Sequence, residues 1–201
     1  MIISIEGSRG SGKSTAARYL EECLGSKFTI LPSAQRLEWI KRNTPPVTKD
    51  FESIRFSERW FLEITKEKFD EAKDPNRVYV FERDYLSLLA YSFAYSAYSG
   101  IWTFDCLLGE CQELLMSGCF RRPEIRLILD NNPHLFLDRE NKRGKGIEDI
   151  WFEKRFADSL FEFYRRFALD YEPKSSHLIG PNFKKKELVE VIEQSYNGLL
   201  V

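Results

Sequence analysis

The stretch Gly7-Ser8-Arg9-Gly10-Ser11-Gly12-Lys13-Ser14 satisfies G-x-x-x-x-G-K-[ST], and it restricts this chain more than any other feature. The apolar run Ile2 to Ile5 enters it, and Ser14-Thr15-Ala16-Ala17-Arg18-Tyr19-Leu20 leaves it as a helix-compatible segment. A strand, a glycine-rich turn and a helix in that order bring several backbone N–H groups to one point, at the positive end of the helix dipole. The motif implies a phosphate cradle made by Gly7, Ser8, Arg9, Gly10, Ser11, Gly12, Lys13, Ser14 and Thr15. Lys13 is placed to reach the β- and γ-phosphates of ATP, and the Ser14 hydroxyl to join a Mg²⁺ shell.

The rest of the chain fits a sheet behind that cradle. Further apolar runs, Phe28 to Leu31, Val78 to Phe81, Ile125 to Leu129 and His177 to Ile179, alternate with longer helix-like stretches. Such alternation predicts an α/β fold with a five-stranded parallel sheet and helices on both faces. From Phe51 to Lys73, Phe51, Ile54, Trp60, Phe61, Ile64 and Phe69 recur at helical spacing. From Asp149 onward, Phe152, Phe156, Leu160, Phe163 and Phe167 predict one long amphipathic helix, and Leu188, Val191, Ile192 and Tyr196 another. A length of 201 residues without a long linker predicts a single domain, 1–201.

Composition removes several classes of function. A net charge of −1 argues against a protein whose main task is to bind a nucleic acid polymer. No run approaches the ~18 apolar residues of a membrane span. The first residues lack the basic and apolar sections of a secretion signal, so the expectation is a cytoplasmic protein with no membrane partner. Cys23, Cys106, Cys111 and Cys119 form no C-x-x-C pair, and His134 and His177 stand far apart, so reduced thiols packed among apolar neighbours are expected. The guanine-reading N-K-x-D of a regulatory GTPase is not supplied by Asn141-Lys142-Arg143-Gly144, and a motor ATPase would be longer. A compact chain of this kind suits phosphoryl transfer to a small molecule.

The acceptor side is expected at the carboxyl ends of the strands, where ligands gather in parallel sheets. There the third run ends in Glu82-Arg83-Asp84-Tyr85. Glu82 can hold a metal-bound water or an acceptor hydroxyl, and the planar fork of Arg83 can grip an anion. A surface salt bridge at a strand end accounts for the same two letters. On a predicted helix, Phe56 and Arg59 lie three apart on one face, a ring to stack on a base and a guanidinium to read its edge. Packing of Phe56 in a core, with Arg59 in solvent, is the plainer alternative.

Longer stretches carry a resemblance. Glu82-Arg83-Asp84-Tyr85-Leu86-Ser87-Leu88-Leu89-Ala90-Tyr91 resembles the thymidylate kinase segment D-R-Y-x-x-S-S-L-A-Y, with Glu in place of the leading Asp and Asp84 in place of the Tyr. Phe56-Ser57-Glu58-Arg59-Trp60 is similar to that family's acceptor-site helix, and Arg122-Pro123-Glu124-Ile125-Arg126-Leu127-Ile128-Leu129-Asp130 to its fourth strand. The Glu82-Arg83 pair is also similar to the E-R-S of the related deoxynucleoside kinases. The resemblance implies a P-loop kinase fold with a short basic lid. Arg139, Lys142, Arg143 and Lys145, interleaved with Gly144 and Gly146, resemble such a lid at residues 138–149, with Arg139 and Arg143 closing over the transferring group.

Two departures bear on the acceptor. Arg9 stands where thymidylate kinases commonly carry an acidic residue. After the second run the sequence reads Leu31-Pro32, where deoxynucleoside kinases place the Glu of their Glu-Pro step as general base. A neutral hydroxyl needs such a base, whereas an acceptor phosphate needs cations instead. The expectation is therefore transfer from ATP to a (deoxy)nucleoside monophosphate, with dTMP first. In that scheme Lys13, Arg83, Arg139, Arg143 and Glu82 are catalytic, Arg36, Phe56, Arg59 and Arg83 hold the acceptor, and Ser14 and Glu82 serve the metal. A deoxynucleoside kinase, a catalytically silent nucleotide binder and a kinase for another metabolite remain as alternatives. Tyr91, Phe93, Tyr95, Tyr98 and Trp102 leave open a homodimer contact, against burial within the chain.

Overall fold

The computed structural model describes residues 1–24, 28–31, 49–129, 150, 153–180 and 182–199. At its centre is β1 (Ile2–Glu6), with β2 (Phe28–Leu31) and β3 (Val78–Glu82) on one side and β4 (Ile125–Leu129) and β5 (Ser176–Ile179) on the other, in the order β2-β3-β1-β4-β5. Every pairing is parallel, and Ile5 stands opposite Glu82 in β3 and Leu127 in β4. All residues of β1 and β4 are buried. Strands covered on both faces read as unbroken apolar runs, so the five runs predicted the five strands. Glu6, Glu82 and Ser176 extend three of them by one residue each.

Among the described residues, two helical layers cover the sheet. On one face α1 (Lys13–Leu24) and α6 (Lys185–Leu199) bring Ala16, Leu20, Leu188 and Ile192 against Ile3, Ile5, Val80 and Leu127. On the other, α2 (Phe51–Glu71), α3 (Tyr85–Ser99) and α4 (Phe104–Met116) pack Leu62, Phe69, Leu89 and Leu107 on Ile2, Tyr79 and Phe81. The period of two along β1 sends Ile3 and Ile5 to one layer and Ile2 to the other. On that second face α5 (Lys154–Arg166) closes over Leu86 and Ile128 with Phe156 and Leu160. Local chemistry starts and stops these helices: the Asp50 carboxylate accepts from the Ser53 N–H at 2.9 Å to open α2, and Gly100, at φ 77°, ends α3.

The connections place the functional edge. From β1 the chain crosses to β2 on one side, and from β3 it crosses to β4 on the other, although β1 and β3 are neighbours. Connections that leave two adjacent strands in opposite directions open a crevice at their carboxyl ends. Gly7 follows one of these ends and Arg83 the other.

Three expectations change. The helix predicted from residue 149 through Phe167 is α5 up to Arg166 and then widens into a π-helical turn, Phe167–Tyr171. That turn sets the Phe167 ring 5.2 Å from the Arg126 guanidinium and leaves Glu172 paired with it, a tertiary demand no periodicity reports. The cysteines are free, but only Cys111 is buried, while Cys23, Cys106 and Cys119 are exposed. Cys106 falls on the solvent side of α4 and Cys119 in the turn after it. The buried face of α2 includes Arg55, Ser57, Thr65 and Lys68 beside Ile54, Leu62, Ile64 and Phe69, while Phe51 is exposed. Arg36, Asp130, Phe152 and the basic segment 138–149 with Arg139 and Arg143 lie outside the described residues.

Candidate active site

The loop between β1 and α1 curls because its glycines take conformations other residues avoid. Gly7 has φ +132°, and a Cβ there would lie 2.8 Å from the Leu129 carbonyl oxygen and 2.9 Å from Ser11 Oγ. Gly12, at φ +99°, turns the chain into α1. Ser11 is buried beneath the loop, and Ser8 and Arg9 are half-buried in it. Lys13 folds back over the loop, its ammonium donating to the Gly7 carbonyl at 2.9 Å, to the Ser8 carbonyl and to Ser11 Oγ at 3.3 Å. Burial holds the Lys13 ammonium well below the usual lysine range; the nearby positive charge of Arg83 adds to this, and Glu82 and Glu6 oppose it.

Across the crevice, β3 ends in Glu82 and Arg83. The Ser14 hydroxyl donates to Glu82 Oε1 at 2.8 Å, joining the first turn of α1 to the end of β3. Arg83 takes φ 72°, the left-handed region, at a strain of roughly 1–2 kcal/mol for a non-glycine residue. Its N–H donates to the Ile5 carbonyl at 3.1 Å. That hydrogen bond sets the Arg83 backbone beside the end of β1, where the phosphate loop begins. Two cations and a carboxylate thus flank one loop of backbone N–H groups.

The cradle meets the chemical requirements of its expected ligands. Ser8 Oγ is buried without a hydrogen-bond partner among the described residues, a polar atom left over beside the loop. The Ser14 hydroxyl and the Glu82 carboxylate supply hard oxygen donors, the kind Mg²⁺ takes in small number alongside phosphate and water. The residues present fit a triphosphate with Mg²⁺.

Behind this edge lies a buried polar network that the sequence reading did not identify. Glu6 Oε1 accepts from Ser4 Oγ at 2.6 Å and from the Asp84 N–H at 2.7 Å, and Glu6 Oε2 accepts from Ser87 Oγ. Ser87 in turn meets the Tyr164 hydroxyl at 3.1 Å. Burial, and then the Asp84 charge, push the Glu6 carboxyl up to about 7, against the pull of its three hydrogen bonds. Asp84 caps α3 through the Leu86 N–H at 2.6 Å and accepts from Arg126 Nε at 3.2 Å. The fully buried Arg126 also donates to the Tyr85 hydroxyl at 2.6 Å and pairs with Glu172. Neither Glu6, one residue past the first apolar run, nor Arg126, inside the fourth, could be read as a buried polar partner from those runs.

Further out, α2 and α3 stand beyond the carboxyl edge of the sheet. Lys68 meets the end of β3, so Glu58, ten residues earlier, lies about 15 Å past it along the helix. There Glu58 accepts from Ser92 Oγ, from Thr103 Oγ1 at 2.7 Å and from Arg55 at 2.5 Å. Arg55 also pairs with Glu110 at 2.6 Å. Arg59 pairs with Glu110 at 2.8 Å, but its side chain is 66% exposed, and Phe56 is 63% exposed. The structure therefore brings Arg55 and Glu58 into the interhelical cluster and leaves Phe56 and Arg59 on the open side. The i,i+3 pairing of Arg55 with Glu58 was the available sequence signal.

No family profile and no characterised protein sequence matches this chain. Solved structures do. A deoxyadenosine kinase from M. mycoides with the products dCMP and dCDP bound superposes with a TM-score of 0.70 at 17% identity, over 98% of this chain and 100% of that one. The thymidylate kinase of Candida albicans gives 0.66 at 19% identity, over 98% and 92%. That of Ehrlichia chaffeensis gives 0.58 at 17% identity, over 96% and 98%. At this distance in sequence the likeness is one of architecture, and it extends over nearly the whole chain. The sheet order, the phosphate loop after β1 and the charged turn after β3 give this chain the P-loop fold shared by the deoxynucleoside and thymidylate kinases.

Proposed function

We propose that the protein transfers the γ-phosphoryl group of ATP to a (deoxy)nucleoside monophosphate, with dTMP as the preferred acceptor. The observation that carries this reading is Arg83, held in a left-handed turn at the end of β3 by the Ile5 carbonyl, beside the Glu82 carboxylate that meets Ser14 of the phosphate loop. A cation fixed across from a phosphate loop suits an acceptor that already bears negative charge.

The loop amides and Lys13 hold the triphosphate, and Lys13 leaves the loop carbonyls for the phosphates. Ser14 and Glu82 hold Mg²⁺, which when bound neutralises charge on the phosphate oxygens. Arg83 orients the acceptor phosphate toward the loop. Positioning and charge neutralisation are most of what this reaction asks of a protein. Phe56 and Arg59, exposed on the part of α2 beyond the sheet, serve as base contacts, and Arg36, Arg139 and Arg143 as further cations for acceptor and transition state. Glu82 beside Arg83 also suits a second reading, in which this carboxylate takes the proton of a nucleoside 5′-hydroxyl.

Parallel coupled assays with dTMP and thymidine separate the two. ADP release with dTMP and none with thymidine is the expected result. Turnover on thymidine alone makes the protein a nucleoside kinase, and tight ATP binding with no ADP release over all nucleosides and monophosphates makes it a silent nucleotide binder.

A further inference from the structure

The turn that carries Glu82 and Arg83 is fastened from two sides. From β1, the Ile5 carbonyl and the Glu6 carboxylate take the N–H groups of Arg83 and Asp84. The carbonyl oxygens of Glu82 and Arg83 converge instead on one atom of α2: Lys68 Nζ donates to Glu82 O at 2.9 Å and to Arg83 O at 3.0 Å. Lys68 is only 5% exposed, and its ammonium lies 5.5 Å from the centre of the Phe81 ring. Lysine is rarely buried, because removing an ammonium from water is costly and carbonyl dipoles offset it only in part. An ammonium at this point has an effect that an apolar residue would not have. It fixes the two peptide groups that flank Arg83, and so the directions in which the Glu82 and Arg83 side chains leave the backbone.

Resting on the phosphoryl-transfer reading above, we propose that Lys68 is a positioning residue for that reaction. Its ammonium clamps the Glu82 and Arg83 carbonyls, keeps Glu82 against Ser14 and Arg83 toward the phosphate loop, and ties this geometry to the helix that bears Phe56 and Arg59. In this role Lys68 acts through the turn and not on either substrate directly. Because the loop glycines and Lys13 are held by contacts of their own, the loss of Lys68 should lower turnover far more than ATP binding.

The test compares Lys68→Met, which keeps the length of the stem, and Lys68→Arg, whose fork can reach both carbonyls, with the parent protein. Lys68→Met is expected to lower kcat by roughly tenfold to hundredfold, in keeping with a small displacement of reacting groups, while the KM for ATP changes less than about threefold. Lys68→Arg is expected to recover most of the rate. Amide hydrogen exchange of residues 82–86 should quicken at least about tenfold in Lys68→Met, with α1 and α6 unchanged. Unchanged kcat with unchanged exchange at 82–86 overturns the proposal, as does uniform faster exchange throughout the chain. If Lys68→Met does not fold, Lys68→Gln, which retains one donor, takes its place with the same readouts. A parent protein without turnover on any nucleoside or nucleotide refutes the transfer reading alone, and the exchange measurement still decides whether Lys68 holds the turn.

Discussion

Glu6 shows how much a single buried carboxyl can control. It joins the strand that leads into the phosphate loop to the backbone after Arg83, and burial raises its ionisation from 4.5 to about 7. Between those two values the folded chain holds a proton that the unfolded chain has lost. Stability from this group is therefore complete below about 4.5 and falls as pH rises through about 7, by at most about 3 kcal/mol. Urea denaturation of Glu6→Gln should show a flatter pH dependence than the parent between pH 5 and 8, with the variant gaining relative to the parent as pH rises. A parallel pair of profiles would show that Glu6 does not titrate there. Arg83 joins strain to function in the opposite sense. Arg83→Gly removes the left-handed strain and should raise stability by about 1 kcal/mol, while kcat/KM for the acceptor falls a hundredfold or more. Thermal melts and steady-state kinetics on one preparation read both effects.

At the scale of the element, the phosphate loop and the pair α2 and α3 obey different rules. The loop is shaped by backbone sterics: a methyl group at Gly7 would meet the Leu129 carbonyl at 2.8 Å, and backbone there cannot move without disturbing β4. Gly7→Ala should cost about 1–3 kcal/mol in denaturation and weaken ATP binding by calorimetry at least tenfold. The helix pair is shaped by side chains, with Glu58 drawing Ser92, Thr103 and Arg55 together where an apolar seam would otherwise form. This also limits what periodicity could reveal. Ile54, Ile64 and Phe69 announced α2 and are buried, but the same spacing could not separate Phe56, which is open, from Arg55, buried against carboxylates, and Lys68, buried against backbone carbonyls.

For the whole molecule, Arg126 links the parts. From β4, next to the central strand, it reaches Asp84 at the start of α3, Tyr85 beside it and Glu172 after the π-helical turn, with its guanidinium 5.2 Å from the rings of both Tyr85 and Phe167. Arg126→Ala would leave the Asp84 carboxylate buried opposite Glu6 with its main counter-charge gone. We expect a loss of about 3–5 kcal/mol in urea denaturation, well beyond that of an exposed pair such as Arg166 with Glu162. A loss under 1 kcal/mol would mean that water replaces the guanidinium.

The amino-acid order alone determined the phosphate loop and the five strands, because both depend on short-range causes: glycines at set intervals, and apolar residues wherever a strand is covered on both faces. It also determined that Glu82 and Arg83 follow a strand end. Only the tertiary structure decided that this end neighbours the loop, since strand order depends on which crossovers pack the two helical layers over the sheet. Lys68, Glu6 and Arg126 likewise acquire their partners from segments distant in sequence. A buried charge is legible only once those partners are in place.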